Sequence, residues 1–301
     1  MRLPENSNEF RTHVLDKLRV YCDAKIWPFE FDQFTRWLSN FDCKIEEYLA
    51  LHLLDSLIVR SNDMAVASYE RLFYGELRQH LIKNSIIESK PLKVWKDQLT
   101  HGYLCKSIKF IPVNMGEDGE SGHVVYRMLS SFLNTSRYQL SPEEPNPDLK
   151  AIVIVDDVLG SGEQFLDFAH EFQLQEKLSN YQVIYCPLMA CEDGITLVNQ
   201  KFQNLKILPA EHIPSSTHLF SEPLLGSFKK DLLNSKADAK AFLEQMKTKY
   251  APRMDDWLGR NDASLCLAFQ WGCPNQSPAL LYMNRSDYRH NWNQLFQRRS
   301  M

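Results

Sequence analysis

The chain has 301 residues, a formal net charge of −4 and 44% apolar residues, enough for one large domain or two smaller ones with a real core. That balance excludes a global basic footprint for nucleic acid, and no apolar run reaches the roughly 18 residues of a membrane-spanning helix. The seven cysteines (22, 43, 105, 186, 191, 266 and 273) are odd in number and form no C-x-x-C, so neither a disulfide framework nor a zinc site is expected.

The cysteines read as reduced thiols in a cytoplasmic protein. The first residues, MRLPENSNEF, lack the apolar stretch of a secretory signal. The histidines show no metal spacing such as H-E-x-x-H.

Taken in chain order, residues 1 to about 100 read as an all-helical region. Helices are predicted at about 8–24, 29–39, 44–60, 65–83 and 91–99. Leu49, Leu53, Leu54, Leu57 and Ile58 make an apolar stripe of the kind that packs into a core. A core region of alternating strand and helix is expected from 101 to 222. Its first strand lies at 107–113. Asn114 to Gly122 (NMGEDGESG) is a glycine-rich loop, and His123 to Leu133 has helical periodicity with Ser121 placed to cap it. The loop's Glu117, Asp118 and Glu120 fit either a solvated acidic loop or a catalytic one.

After a proline-rich loop, Ala151 to Gly162 reads AIVIVDDVLGSG. Apolar, mostly β-branched residues run into two adjacent carboxylates and then a glycine-bracketed turn, and Glu163 to Phe172 continues as a helix. In an open parallel sheet, ligands sit at the carboxyl ends of strands, where a helix N-terminus offers free N–H groups to an anion. Asp156 and Asp157 suit ribose hydroxyls or a metal, and Gly160-Ser161-Gly162 suits a phosphate. The bland alternative is an aspartate that caps a helix or turn. Further strands are predicted at 182–187 and 205–208, and helices at 162–177 and 194–203. Glu192 and Asp193 stand at a third strand end, where they either face the same crevice or favour the start of the next helix.

Residues 223–301 form a C-terminal extension. Lys229, Lys230, Lys236 and Lys240 mark a solvated helical face, and 263–283 reads as a hairpin around Pro274-Asn275. Arg285, Arg289, Arg298 and Arg299 alternate with Tyr282, Tyr288, Trp292 and Phe296. That interleaving fits a closing helix packed on the core or a nucleic-acid contact.

The strand-Asp156-Asp157-Val158-x-Gly-Ser-Gly162-helix order resembles the phosphoribosyl-pyrophosphate (PRPP) motif of type I phosphoribosyltransferases. The resemblance implies an α/β fold with a parallel sheet core. It also implies that Asp156 and Asp157 are the catalytic acids that hold the ribose 2′ and 3′ hydroxyls, and that Val158, Leu159, Gly160, Ser161, Gly162 and Glu163 surround the 5′-phosphate. The strand-loop-helix at 107–134 corresponds to the pyrophosphate loop, with Asn114, Gly116, Ser121 and Gly122 as its contacts. Two departures stand out. Gly160 replaces a hydroxyl-bearing residue, and Glu163 stands where the family has threonine or serine. The acidic loop also lacks a base, so pyrophosphate would need a bridging Mg²⁺, associated with Asp156 and Asp157, or the side chain of Arg127 or Lys106.

The helical N-terminal region, Phe269-Gln-Trp-Gly-Cys-Pro-Asn-Gln-Ser-Pro278 and the terminal Trp292-x-x-Leu-Phe-x-Arg298 extend the resemblance to phosphoribosyltransferase-like proteins of bacterial conflict systems. That implies a cytoplasmic, anti-phage effector, some of whose relatives work beside reverse transcriptases with their RNA and DNA products in retron-type systems. Its ligand would be PRPP or a nucleotide, and no membrane is involved. The alternative is a catalytically inactive module that senses a nucleotide or scaffolds a partner.

Overall fold

The computed structural model describes residues 1–114, 121–140, 147–221, 228, 231–288 and 291–298. The chain divides into two compact units, Met1–Ser61 with Ser215–Arg299, and Asn62–Pro214. This division places residues 62–100 with the sheet, whereas the sequence pattern alone groups them with the N-terminal helices.

In the first half the elements are α1 (Ser7–Asp23), α2 (Phe31–Leu38), α3 (Lys44–Asp55), β1 (Ile58–Arg60), α4 (Asn62–Leu72), α5 (Arg78–Lys83), α6 (Leu92–His101) and β2 (Ile108–Pro112). A π-helical turn, Phe73–Leu77, joins α4 to α5. Then follow α7 (Ser121–Met128), α8 (Thr135–Tyr138), β3 (Ala151–Leu159), α9 (Glu163–Glu171), α10 (Leu174–Asn180), β4 (Gln182–Cys191) and α11 (Glu192–Lys201). The last elements are β5 (Lys206–Ile207), β6 (Glu211–Ile213), α12 (Lys236–Tyr250) and β7 (Leu267–Phe269).

The fold is α/β with a parallel sheet core, as the strand-helix alternation predicts. In the Asn62–Pro214 unit the strands run in the order β2-β3-β4-β5, with β6 pairing the far end of β4, and every pairing is parallel. Parallel strands covered on both faces need apolar side chains in both directions, and all nine residues of β3 are buried. Ile152, Ile154 and Tyr185 pack with Phe165 and Phe168 of α9 on one face. Phe110 meets Phe73 and Tyr138 on the other, with Phe73 in turn edge-on to Tyr69. The predicted single helix at 162–177 is two, because Gln173 takes a left-handed φ of 53° between α9 and α10.

The other unit is built around α1–α3 and α12, with Trp37, Leu49, Leu53, Leu54 and Leu243 in its core. Three expectations are corrected here. The N-terminal region is not purely helical, because β1 forms and pairs in parallel with β7. The antiparallel pairing expected around Pro274-Asn275 is instead one bridge, Phe269↔Gly272, which closes a tight turn at Gln270-Trp271. The described residues after Leu281 form no helix, although Leu295 and Phe296 are buried as a closing segment should be. Local apolar patterning marks burial well, but it does not reveal which distant segment supplies a strand's partner. No helix among the described residues is long and apolar enough to cross a membrane.

Candidate functional site

Because β2, β3 and β4 are parallel, their carboxyl ends share one edge of the sheet. β2 ends at Pro112, level with Val155, while β3 continues beside β4 through Val158↔Met189 and Leu159↔Ala190. Asp156 and Asp157 therefore sit just beyond the end of one neighbour and still alongside the other. The aspartates belong to the strand itself and not to the loop after it. Their exposures are 4% and 0%.

A buried carboxylate is tolerable only if hydrogen bonds replace its lost hydration. For Asp156 the replacements are visible. Tyr185 of β4 donates its hydroxyl to Asp156 Oδ2 at 2.9 Å, and the Asp157 amide donates to Asp156 Oδ1 at 2.9 Å. From the opposite face, the Tyr69 hydroxyl lies 2.5 Å from the Asp156 carbonyl oxygen and 3.1 Å from that of Cys186. One hydroxyl thus pins β3 to β4 at the level of the acid pair. Burial first, and the nearby charge of Asp156 second, push both phenols well above their ordinary pKa. Both remain O–H donors throughout the working pH range. Sequence inspection did not single out Tyr69 or Tyr185. The only signal was a tyrosine inside the apolar run of β4.

The turn after β3 is fixed by α11. Gly160 and Gly162 are buried, and Ser161 is half-buried. Gly162 has a φ of 93°, a left-handed conformation that favours glycine, and sits at the N-cap of α9. A Cβ on Gly194 in α11 would lie 2.2 Å from the Gly160 carbonyl oxygen. Helix and turn therefore touch backbone to backbone. Gly194→Ala is expected to destabilise by about 2 kcal/mol, because overpacking against a backbone atom costs more than the about 1 kcal/mol that alanine gains in a helix. Thermal unfolding checks it, and an unchanged or raised midpoint would contradict this packing.

Glu163 is the first residue of α9 and is half-buried. Glu192 and Asp193 lie exposed in the first turn of α11, where the helix dipole favours them. Val158 and Leu159 are buried in β3. On the neighbouring segment, Asn114 Nδ2 is 2.8 Å from His123 Nε2, a contact that ties the two ends of the acidic loop together. Gly122 packs so closely that a Cβ there would meet the Val113 carbonyl oxygen at 2.1 Å. Ser121 opens α7. Gly116, Glu117, Asp118 and Glu120 lie outside the described residues. Lys106 precedes β2 and so stands at its amino end. A five-residue strand spans about 16 Å, too far for that side chain to reach the site edge. Arg127 is exposed on the last turn of α7.

Among the described residues, no three histidine, cysteine, aspartate or glutamate side chains converge as a metal-binding group. Mg²⁺ is usually held by one or two carboxylates together with ligand phosphates and water, but here both adjacent carboxylates are buried and Asp156 accepts a hydrogen bond at each oxygen.

Residues 34–298 match the PRTase-CE family. The chain belongs to that family. The match spans both compact units and includes the acid pair, the glycine turn and the C-terminal Trp292-to-Arg298 segment, so this is a phosphoribosyltransferase-like protein. No curated protein matches the chain. Among solved structures it is similar to the AQ2163 protein from Aquifex aeolicus, at 15% identity over 46% of this chain and 85% of that one, with a TM-score of 0.26. It is also similar to orotate phosphoribosyltransferase from Aeropyrum pernix, at 12% identity over 46% of this chain and 74% of that one, with a TM-score of 0.23. The PRTase-CE architecture described above rests on its own strand pairing.

Proposed function

We propose that the Asp156–Glu163 segment binds a ribose-5-phosphate ligand, PRPP or a nucleotide, and that the protein transfers or cleaves at the ribose anomeric carbon. The observation that carries this reading is a pair of buried, strand-borne carboxylates followed by a glycine turn that opens a helix, at the carboxyl edge of a parallel sheet. In the proposed reaction the acids orient the ribose hydroxyls and balance positive charge developing on the sugar. The amides at the start of α9 take the 5′-phosphate. If Mg²⁺ arrived with the ligand, it would supply positive charge against a departing pyrophosphate, with Asp156 and Asp157 as the carboxylates nearest to it. Because the acids are shielded, ligand engagement requires the covering residues to give way. We further propose that this chemistry serves a cytoplasmic anti-phage system of the retron type, with a reverse transcriptase and its RNA and DNA product as partner.

A second reading has its own support. Asp156 is already bonded through both oxygens, the glycines are packed on α11, and a carboxylate stands at the first position of α9. Those features favour a non-catalytic module that senses a nucleotide or scaffolds a partner.

Calorimetric titration of PRPP with Mg²⁺ into the wild-type chain and into Asp156→Asn/Asp157→Asn tests both readings. Asparagine keeps the shape and one of the two acceptor oxygens while removing the charge. Binding by wild type and at least about tenfold weaker binding by the variant, a loss of about 1.4 kcal/mol, is expected. Equal binding by both would remove the acids from the ligand site. Binding without turnover of PRPP or of nucleotides would favour the sensing module.

A further inference from the structure

Within the Met1–Ser61 and Ser215–Arg299 unit, a groove of about 440 Å³ opens beside the tight turn at Gln270-Trp271. That volume lies within the roughly 300–1,000 Å³ of small-molecule sites. Among the described residues, its lining carries no charged side chain. It combines aromatic rings, including Phe29, Trp271 and Phe296, with glutamine amides, including Gln33, Gln294 and Gln297.

Two of the amides are held in place. Gln33 donates through Nε2 to the Leu295 carbonyl, and Gln294 donates through Nε2 to the Tyr282 carbonyl at 2.9 Å. Each of these bonds uses one of the amide's two N–H donors and leaves the acceptor capacity of its oxygen. The rings are fixed as well. Trp271 stacks on Phe269 with centroids 4.6 Å apart and planes 11° apart, and Phe29 meets Phe296 at 4.9 Å. Gly272, at a φ of 144°, turns the chain, and Cys273 then donates its amide to the Gln297 carbonyl at 2.9 Å. Both walls are thus tied together before any ligand arrives, which lowers the ordering cost of binding.

An uncharged groove with π faces and amide donors and acceptors suits a planar heterocycle that carries ring nitrogens, carbonyls and amino groups. A phosphate belongs at its rim. Arg298 follows Gln297 in the chain and is exposed; it does not line the groove, and its guanidinium lies 5.5 Å from the centroid of the Tyr282 ring. We propose that this groove binds a nucleobase. The base belongs either to a free nucleotide or to an unpaired end of single-stranded nucleic acid. Stacking and amide pairing do the work, as in sequence-tolerant single-strand sites. This site is separate from the Asp156–Glu163 segment and stands without it.

The test uses the full chain carrying Asp156→Asn/Asp157→Asn, so that any nucleotide binding at the acid pair is weakened at least about tenfold, and variants of the groove separate the two sites. AMP, CMP, GMP, UMP, ribose 5-phosphate and a short single-stranded oligonucleotide are titrated in turn. Binding of nucleotides or of the oligonucleotide is expected, with ribose 5-phosphate at least about tenfold weaker. Free nucleotide binding identifies the first source of the base, and oligonucleotide binding alone identifies the second. Adding Trp271→Leu is expected to weaken binding about tenfold, with the unfolding midpoint lowered only modestly, by the loss of the stack on Phe269. Gln297→Leu, an exposed position, provides a second variant that does not burden the core. Absence of binding by every nucleotide and by the oligonucleotide overturns the proposal. So does equal binding of ribose 5-phosphate, or equal affinity in both the Trp271 and Gln297 variants. None of these results bears on PRPP binding by the wild-type acids.

Discussion

Tyr185→Phe is expected to lower stability by about 2–3 kcal/mol, more than a neutral hydrogen bond is worth. The Tyr185 hydroxyl donates to a carboxylate oxygen in a part of the sheet where Asp156 is 4% exposed, so no water replaces the lost donor. Phenylalanine keeps the ring that stacks on Phe165 at 4.0 Å, so packing is held nearly constant. The companion variant Tyr69→Phe loses a bond to backbone carbonyls only, and about 1 kcal/mol is expected. Asp156→Asn leaves one oxygen for two donors, the Tyr185 hydroxyl and the Asp157 amide, so one of these two bonds is lost and a cost comparable to that of Tyr185→Phe is expected. Urea unfolding of the three variants measures the order. If Tyr185→Phe costs no more than Tyr69→Phe, the phenol does not hold the acid. Tyr185→Phe is also expected to weaken PRPP binding, because it frees the acid proposed to orient the ribose hydroxyls.

Acidification from pH 6.5 to pH 4 is expected to remove about 3 kcal/mol of stability through His52 alone. This histidine on α3 lies between the rings of Phe10 and Phe228, with centroids at 4.4 and 3.8 Å, and Tyr48 meets it edge-on. Burial lowers its pKa from 6.5 to about 4, with Asp231 and Asp55 pulling weakly in the other direction. Above pH 6.5 the ring is neutral in both the folded and unfolded states, and the full stability is present. Between the two values only the unfolded chain takes up the proton, so stability falls as pH falls. Below pH 4 both states are protonated and the loss is complete. Unfolding free energies of wild type and His52→Phe across this range give the test. The wild-type slope should exceed that of the variant by close to one proton, and equal slopes would remove His52 as the source.

The acid pair, the turn and α9 were legible because each depends on local rules. β-branched runs make buried strands, and glycines mark turns that need a left-handed φ or close backbone approach. The helices of the first hundred residues were legible for the same reason, through their apolar spacing. The partner of β7 was not, because a three-residue strand carries no record of which strand it joins. Nor was the depth of the aspartates. Two charges after an apolar run look like the start of a loop, and one of the hydrogen bonds that make the burial of Asp156 affordable comes from a tyrosine 29 positions away on β4.

Sequence alone thus determined the α/β order, the motif-bearing strand and the membership suggested by Asp156-Asp157 and Gly160-Ser161-Gly162, since all three are written in short-range pattern. Tertiary structure decided which groups satisfy the buried carboxylate, which helix locks the glycine turn, and how Gln33 and Phe29 come to face Trp271 and Phe296. Those contacts join residues far apart in the chain. Their energies depend on desolvation and packing, which no local window of sequence contains.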